Sequence, residues 1–133
     1  MSLTPRSCIA WGSLVGAAAV AAGAFGAHGL KALLAATGHA DTWETGCRYA
    51  LIHAVALVAV GCLGTARPAI AGRLAWAAWA FLAGIAIFSG CLLALSLSGI
   101  RILGAIVPLG GTALIVGWLA LAAAAWRTDP SPG

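Results

Sequence analysis

Charge is what this sequence has least of. Only 8% of its 133 residues are charged, against about a quarter in soluble domains. A soluble chain of this size would need far more polar surface. Carboxylates are scarcest: Asp41, Glu44 and Asp129 are the three acids. None lies in a long apolar run, which argues against a carboxylate-based ion pump. The basic residues stand apart at the ends of apolar runs, so the net charge of +4 is not a nucleic-acid footprint. No nucleic-acid partner is expected.

The chain also lacks the common signatures of chemistry. None of its four cysteines, Cys8, Cys47, Cys62 and Cys91, forms a Cys-x-x-Cys pair, and they read as small apolar residues. There is no His-x-x-x-His pair and no glycine-rich phosphate loop between a strand and a helix. His28 and His53 would supply only two ligands to a metal or haem, with His39 in a loop, so no cofactor is expected. Without a catalytic constellation, the chain is not expected to be an enzyme.

What is present is hydrocarbon. Hydrophobic residues make up 62% of the chain, and the mean hydropathy is +1.04. The charges divide it into runs. No Lys, Arg, Asp or Glu falls between Arg6 and Lys31, within 49–66, within 74–100 or within 102–126. A bilayer-crossing helix needs about 20 apolar residues. The reading is an all-α polytopic membrane protein of one domain: a bundle of four transmembrane helices near 8–28, 43–65, 74–97 and 106–126. Its partner is then the lipid bilayer, with the cell inner membrane as the expected location.

The first run carries Gly12, Gly16, Ala19 and Gly23 at four- and three-residue steps, spacing that lets membrane helices approach. Arg6, the run after it and Ala22-Gly23-Ala24 have the order of a cleaved secretory signal. The run continues to Ala27, however, so a retained span is expected. Leu30 to Ala36 reads as a short interfacial helix ended by Gly38. Asp41-Thr42-Trp43-Glu44 resembles a capping box and predicts a second helix starting near Thr42. Trp43 and Tyr49 would sit at the membrane interface. Ala66-Arg67-Pro68-Ala69 and Ser98-Gly99-Ile100-Arg101 read as turns. Pro108 suits a first helical turn, so the fourth helix is expected to start near it rather than at Ile102. The tail, 127–133, reads as disordered. Arg6, Arg67, Arg73 and Arg127 fall on one side and Lys31, Arg48 and Arg101 on the other, which favours cytoplasmic termini.

Polar residues inside the runs are the candidates for function. Tyr49 and His53 are four apart and share a helix face. With His28 and Ser89 they form the candidate polar site, on the expectation that they converge from one leaflet toward the middle. Two readings stand: a proton-accepting or ligand-binding site, or a neutral histidine hydrogen-bonded to a backbone carbonyl or hydroxyl across helices. Ser89 either lines a polar path or bonds back within its own helix. Gly12, Gly16, Gly23, Gly26, Gly29, Gly90, Gly110, Gly111 and Gly117, with Gly84, are candidate helix contacts.

Four stretches carry a resemblance: Gly23-Ala24-Phe25-Gly26-Ala27-His28-Gly29-Leu30; Tyr49-Ala50-Leu51-Ile52-His53-Ala54-Val55-Ala56-Leu57; Phe88-Ser89-Gly90; and Pro108-Leu109-Gly110-Gly111 with Gly117-Trp118. In this order they resemble the small membrane family called domain of unknown function 423, which includes transmembrane protein 256 of animals. The resemblance implies four spans and a retained first span. After Phe88-Ser89-Gly90 this chain has Leu92-Leu93-Ala94 where the family often carries a tyrosine, so no role resting on that tyrosine transfers. The family has no assigned activity. The leading expectation is a non-enzymatic component that packs with itself, as a homo-oligomer, or with a larger membrane complex. The alternatives are a small transport or proton-conducting unit using the polar site, and a membrane binder of quinone, haem or lipid.

Overall fold

The computed structural model describes residues 3–126, which form helices joined by short turns, with no strand among them. Four helices are long and apolar enough to cross a membrane: Pro5–Ala27, Ala40–Ala66, Pro68–Ser98 and Ile102–Trp126. The expectation of disorder beyond Trp126 lies outside the described residues.

Helix α1 (Pro5–Ala27) starts where sequence chemistry favours a start. Thr4 accepts a hydrogen bond from the Ser7 N–H at 3.2 Å, and Pro5 occupies the first turn, where its missing donor costs nothing. A short helix α2 (Lys31–Thr37) follows and ends at Gly38, whose φ of +71° is open to glycine at little cost. Only Gly38 and His39 then separate α2 from α3 (Ala40–Ala66). Helix α3 therefore begins before Thr42, and the expected capping box does not form. His39 is the N-cap and makes no side-chain cap bond; Asp41 lies in the first turn. Glu44 pairs instead with Arg48 on the helix surface.

The third span starts at Pro68, earlier than expected. A 3-10 turn (Pro68–Ile70) leads into α4 (Ala71–Gly84), a π-helical turn (Ile85–Ser89) and α5 (Gly90–Ser98). Gly99 ends it at φ +68°. Helix α6 (Ile102–Trp126) contains Pro108 inside it, contrary to the expected start at Pro108. The first bonds are already made upstream, from Leu103 N–H to Ile100 O at 3.1 Å and from Gly104 N–H to Arg101 O at 3.0 Å. Pro108 removes one later donor, a loss that membrane helices tolerate when neighbours hold the segment.

The spans pack in the order α1, α3, α4–π–α5, α6. Helix α1 packs on α3, and α6 packs on α4 and the π turn. The core joins Leu57 and Val60 of α3 to Leu74, Ala77, Ala78 and Phe81 of α4 and Leu114 of α6. The outer faces of α1 and α6 are apolar and uncovered by protein, as at Leu14, Val20, Ile115 and Leu119. In a bilayer such faces meet acyl chains or a neighbouring helix.

Glycine sets the closest approaches. A Cβ on Gly12 would lie 2.7 Å from the Ala54 carbonyl oxygen, and one on Gly110 would lie 2.3 Å from the Phe88 nitrogen. Gly26 faces the Trp43 indole, Gly84 faces Leu114 and Gly117 faces the Phe81 ring at similarly short range. Gly16 and Gly111 make ordinary contacts, to Ala54 and Phe88 at 3.6 Å. Three assignments need correction. Gly23 and Gly90 have no neighbouring atom within 4 Å of an added Cβ, and Gly29 meets only Phe25 of the preceding helical turn. Spacing alone does not say which face of a helix its neighbour covers.

This contrast gives a paired test. Gly110→Ala places a methyl group against backbone that cannot swing aside, so a loss of ~1–3 kcal/mol is expected. Gly90→Ala enters open space and gains helix propensity, so its change is expected to be zero or up to ~1 kcal/mol stabilising. Reversible denaturant unfolding in mixed micelles measures both.

Candidate functional site

His53 is the polar centre of the bundle. It lies one helical turn after Tyr49 on α3 and is 4% exposed. Its Nδ1 is 2.7 Å from the Tyr49 carbonyl oxygen, and the Trp118 Nε1–H of α6 donates to its Nε2 at 3.1 Å. These partners fix the tautomer. The carbonyl can only accept, so Nδ1 carries the proton; the indole can only donate, so Nε2 offers its lone pair. Both nitrogens of a neutral ring are satisfied.

Four aromatic rings enclose this imidazole and its neighbours. Tyr49 stacks against it at 5.9 Å, Phe81 lies at 5.6 Å and Trp118 at 6.0 Å. Phe88 in turn meets Tyr49 at 4.5 Å, and Trp118 meets Phe81 edge-on at 5.2 Å. The α3 and α6 backbones do not pack closely against each other. These side chains bridge the gap.

The side chains of the other members of the candidate polar site do not join it by hydrogen bonds. His28 is the C-cap of α1 and is exposed; no described residue bonds its ring. This corrects the expected convergence on His53. The physical reason is that α1 ends at Ala27 and directs the next residue into the α1–α2 turn. Tyr49 is 39% exposed, and its contribution to His53 is its backbone carbonyl and the face of its ring.

Ser89 closes the π turn. It is 2% exposed, yet its Oγ has no hydrogen-bond partner among the described residues. Ser96 and Ser98 of α5 do bond back, to Leu92 O at 2.8 Å and Ala94 O at 2.7 Å. Ser89 sits where the backbone follows the wider π winding, and its hydroxyl does not make that local bond. Such an orphan costs about 1–3 kcal/mol. The π turn also bears the Gly110–Phe88 backbone approach, so the irregular winding and the tightest interhelical contact coincide.

Two partners escaped the sequence reading. Trp118 was visible only within a glycine-tryptophan motif. A tryptophan eight residues from the end of an apolar run, away from the interface, needs a buried acceptor for its N–H, and that signal pointed to His53. Trp43 was expected at the interface, but it is 8% exposed and packs over Gly26. Its indole N–H donates to Ala22 O at 3.0 Å, tying α3 to α1. Gly46 and Gly61 were also passed over; they face Leu93 and the backbone near Pro5 and Ile9.

Chemically, the arrangement is a closed polar contact. Neither ring nitrogen of His53 is left for a metal or a substrate. No group of three or more His, Cys, Asp or Glu side chains gathers among the described residues. The two sides of the His53–Trp118 bond should therefore be energetically coupled. A double-mutant cycle of His53→Phe and Trp118→Phe is expected to give a coupling energy of about 0.5–1.5 kcal/mol, the range for interhelical hydrogen bonds in membranes. Each single variant leaves one polar group unpaired and should unfold more easily than the double variant predicts by addition. Strict additivity in denaturant unfolding would show that the bond carries no stability.

The family described as a protein of unknown function (DUF423) matches residues 22–111 of the chain. A UPF0382 membrane protein of Staphylococcus saprophyticus is 42% identical over 83% of this chain and 88% of its own length. UPF0382 membrane protein YwdK of Bacillus subtilis is 44% identical over 80% of this chain and 85% of its own. One from Haemophilus influenzae is 38% identical over 87% and 90%. No solved structure matches significantly.

Proposed function

Since this chain belongs to the DUF423 family of membrane proteins, whose molecular function is unassigned, we propose from its geometry that it is a non-enzymatic accessory component. In this reading it packs laterally with itself or with a larger membrane complex. The observation that carries the reading is the closed His53 contact. The one buried histidine bonds its own helix through Nδ1 and α6 through Nε2, so the core's polar chemistry is spent on structure. What remains is surface. Helices α1 and α6 each leave an outer apolar face uncovered by protein, and membrane helices associate through packing at such faces.

The transport alternative loses its main support, because His28 lies exposed at the end of α1 while His53 is buried. The assembly reading is tested by native mass. After gentle extraction, blue-native gels and cross-linking are expected to show a species well above the 13.2 kDa chain. A monomer at every protein concentration, with no cross-linked neighbour, would sink the reading.

The same proposal places the chain in the cell inner membrane with both termini cytoplasmic. Four basic residues on the terminal side against three on the other support it. A fluorescent protein fused to the C-terminus should fold and fluoresce in the cytoplasm. A dark fluorescent-protein fusion, with an active alkaline phosphatase fusion at the same end, would reverse the orientation.

A further inference from the structure

The seam between α1 and α3 is closed at its floor, where Gly12 meets the Ala54 carbonyl and Trp43 covers Gly26. Two hollows remain over that floor, and these four residues help to line them. One is a cleft of about 390 Å³ between the end of α1, α2 and the first turns of α3, lined by Gly23, Ala27, Lys31, Glu44 and Cys47 among others. The other is an apolar groove of about 610 Å³ lined by Gly16, Ala17, Val20, Leu51, Val55 and Val58 among others. Both volumes fall in the range of small-molecule sites, roughly 300–1,000 Å³.

The two hollows belong to one furrow. On α3 the lining residues step from Ala40 to Glu44, Cys47, Leu51, Val55 and Val58, and steps of three and four keep one helix face. On α1 they step back from Ala27 to Gly23, Val20, Gly16 and Ser13 in the same way. The charges mark its depth. Lys31 and Glu44 line the upper cleft, and along the chain no charge follows Arg48 until Arg67. The furrow thus runs from headgroup level, in the leaflet opposite the termini, into hydrocarbon.

A polar mouth above an apolar furrow has the profile of a phospholipid. The mouth also discriminates among headgroups. Lys31 makes no salt bridge with a described residue, while Arg48 takes only Oε1 of Glu44. Glu44 Oε2 has no partner among the described residues. That surface ion pair contributes little and is easily shared. One cation and one available carboxylate oxygen in the same cleft match a headgroup holding a phosphate and a primary ammonium. An anionic glycerol headgroup would satisfy Lys31 and give Glu44 no new partner beyond Arg48.

We infer that this furrow binds one aminophospholipid, with its phosphate on Lys31, its ammonium on Glu44 and an acyl chain lying over Gly16 and Gly23. The site is separate from the His53 contact and does not depend on lateral assembly. It gives Gly16 and Gly23 a role: a larger side chain at either would occupy the chain's path. Gly23 has no protein atom within 4 Å of an added Cβ, so a larger residue there fills the furrow and leaves the helix contacts intact.

Native mass spectrometry of the full chain in detergent tests this, with dioleoylphosphatidylethanolamine or dioleoylphosphatidylglycerol added. The wild-type chain is expected to retain the ethanolamine lipid roughly tenfold better, the scale of one charge-assisted hydrogen bond. Gly23→Leu should lower that retention about tenfold or more with unchanged thermal unfolding. Glu44→Gln should bring the two lipids level. Equal retention of both lipids by the wild-type chain would overturn the inference. So would wild-type retention by Gly23→Leu, or an undiminished ethanolamine preference in Glu44→Gln.

Discussion

Lipid offers no hydrogen bonds, and this constraint organises the molecule. Backbone groups inside a bilayer must pair within their own segment, so every span is a helix. Side chains face the same demand. Trp43 answers it with the Ala22 carbonyl, and Ser96 and Ser98 answer it within their own turn. His53 and Trp118 answer it together: the indole can only donate, and the imidazole has one lone pair left after bonding the Tyr49 carbonyl. The pair fixes the rotation of α3 and α6 about their axes, because neither side chain could point elsewhere without stranding the other.

The second constraint is that helices in lipid gain nothing from hiding oil from water. They associate where atoms fit. Gly12 and Gly110 let backbone meet backbone, and Gly84, Gly26 and Gly117 each receive a large side chain. The result is two tight seams, α1–α3 and α4–α6, joined through the core around Phe81 and Leu57. The π turn belongs to the second seam. By widening the helix at Phe88 it brings backbone onto Gly110, and the orphaned Ser89 hydroxyl is the local cost of that winding.

The architecture was legible because charge is a coarse signal on the scale of a whole span. Four uncharged runs give four helices, and Gly38 marked the end of α2. Finer features depended on context that spacing does not hold. The Asp41–Glu44 motif failed as a cap because the turn at Gly38 leaves only His39 before α3. Pro108 failed as a start because the bonds upstream of it form regardless. His28 and His53 looked like neighbours by leaflet, but leaflet fixes depth alone. Trp43 shows the same limit: the expectation for it concerned depth, and its direction, inward over Gly26, is a separate matter that spacing does not hold. For the glycines, a regular repeat contained both contact positions and open ones, since a helix shows all its faces while its neighbour covers one.

That last distinction bears on where function can reside. A position that packs against a neighbour is already explained by stability. Gly12, Gly26, Gly110 and Gly117 are of this kind, and so, in its way, is His53. Gly23, with nothing within 4 Å of an added Cβ, and Gly16, with only the Ala54 side chain at 3.6 Å, are different, because helix propensity would favour alanine at either. A glycine kept away from any close packing partner widens the space beside the helix. In this chain the widening falls on one side of one seam, beneath the one place where a free lysine and a half-used glutamate share a cleft. The closed half of the bundle holds its shape, and the open half leaves room for something the protein does not itself supply.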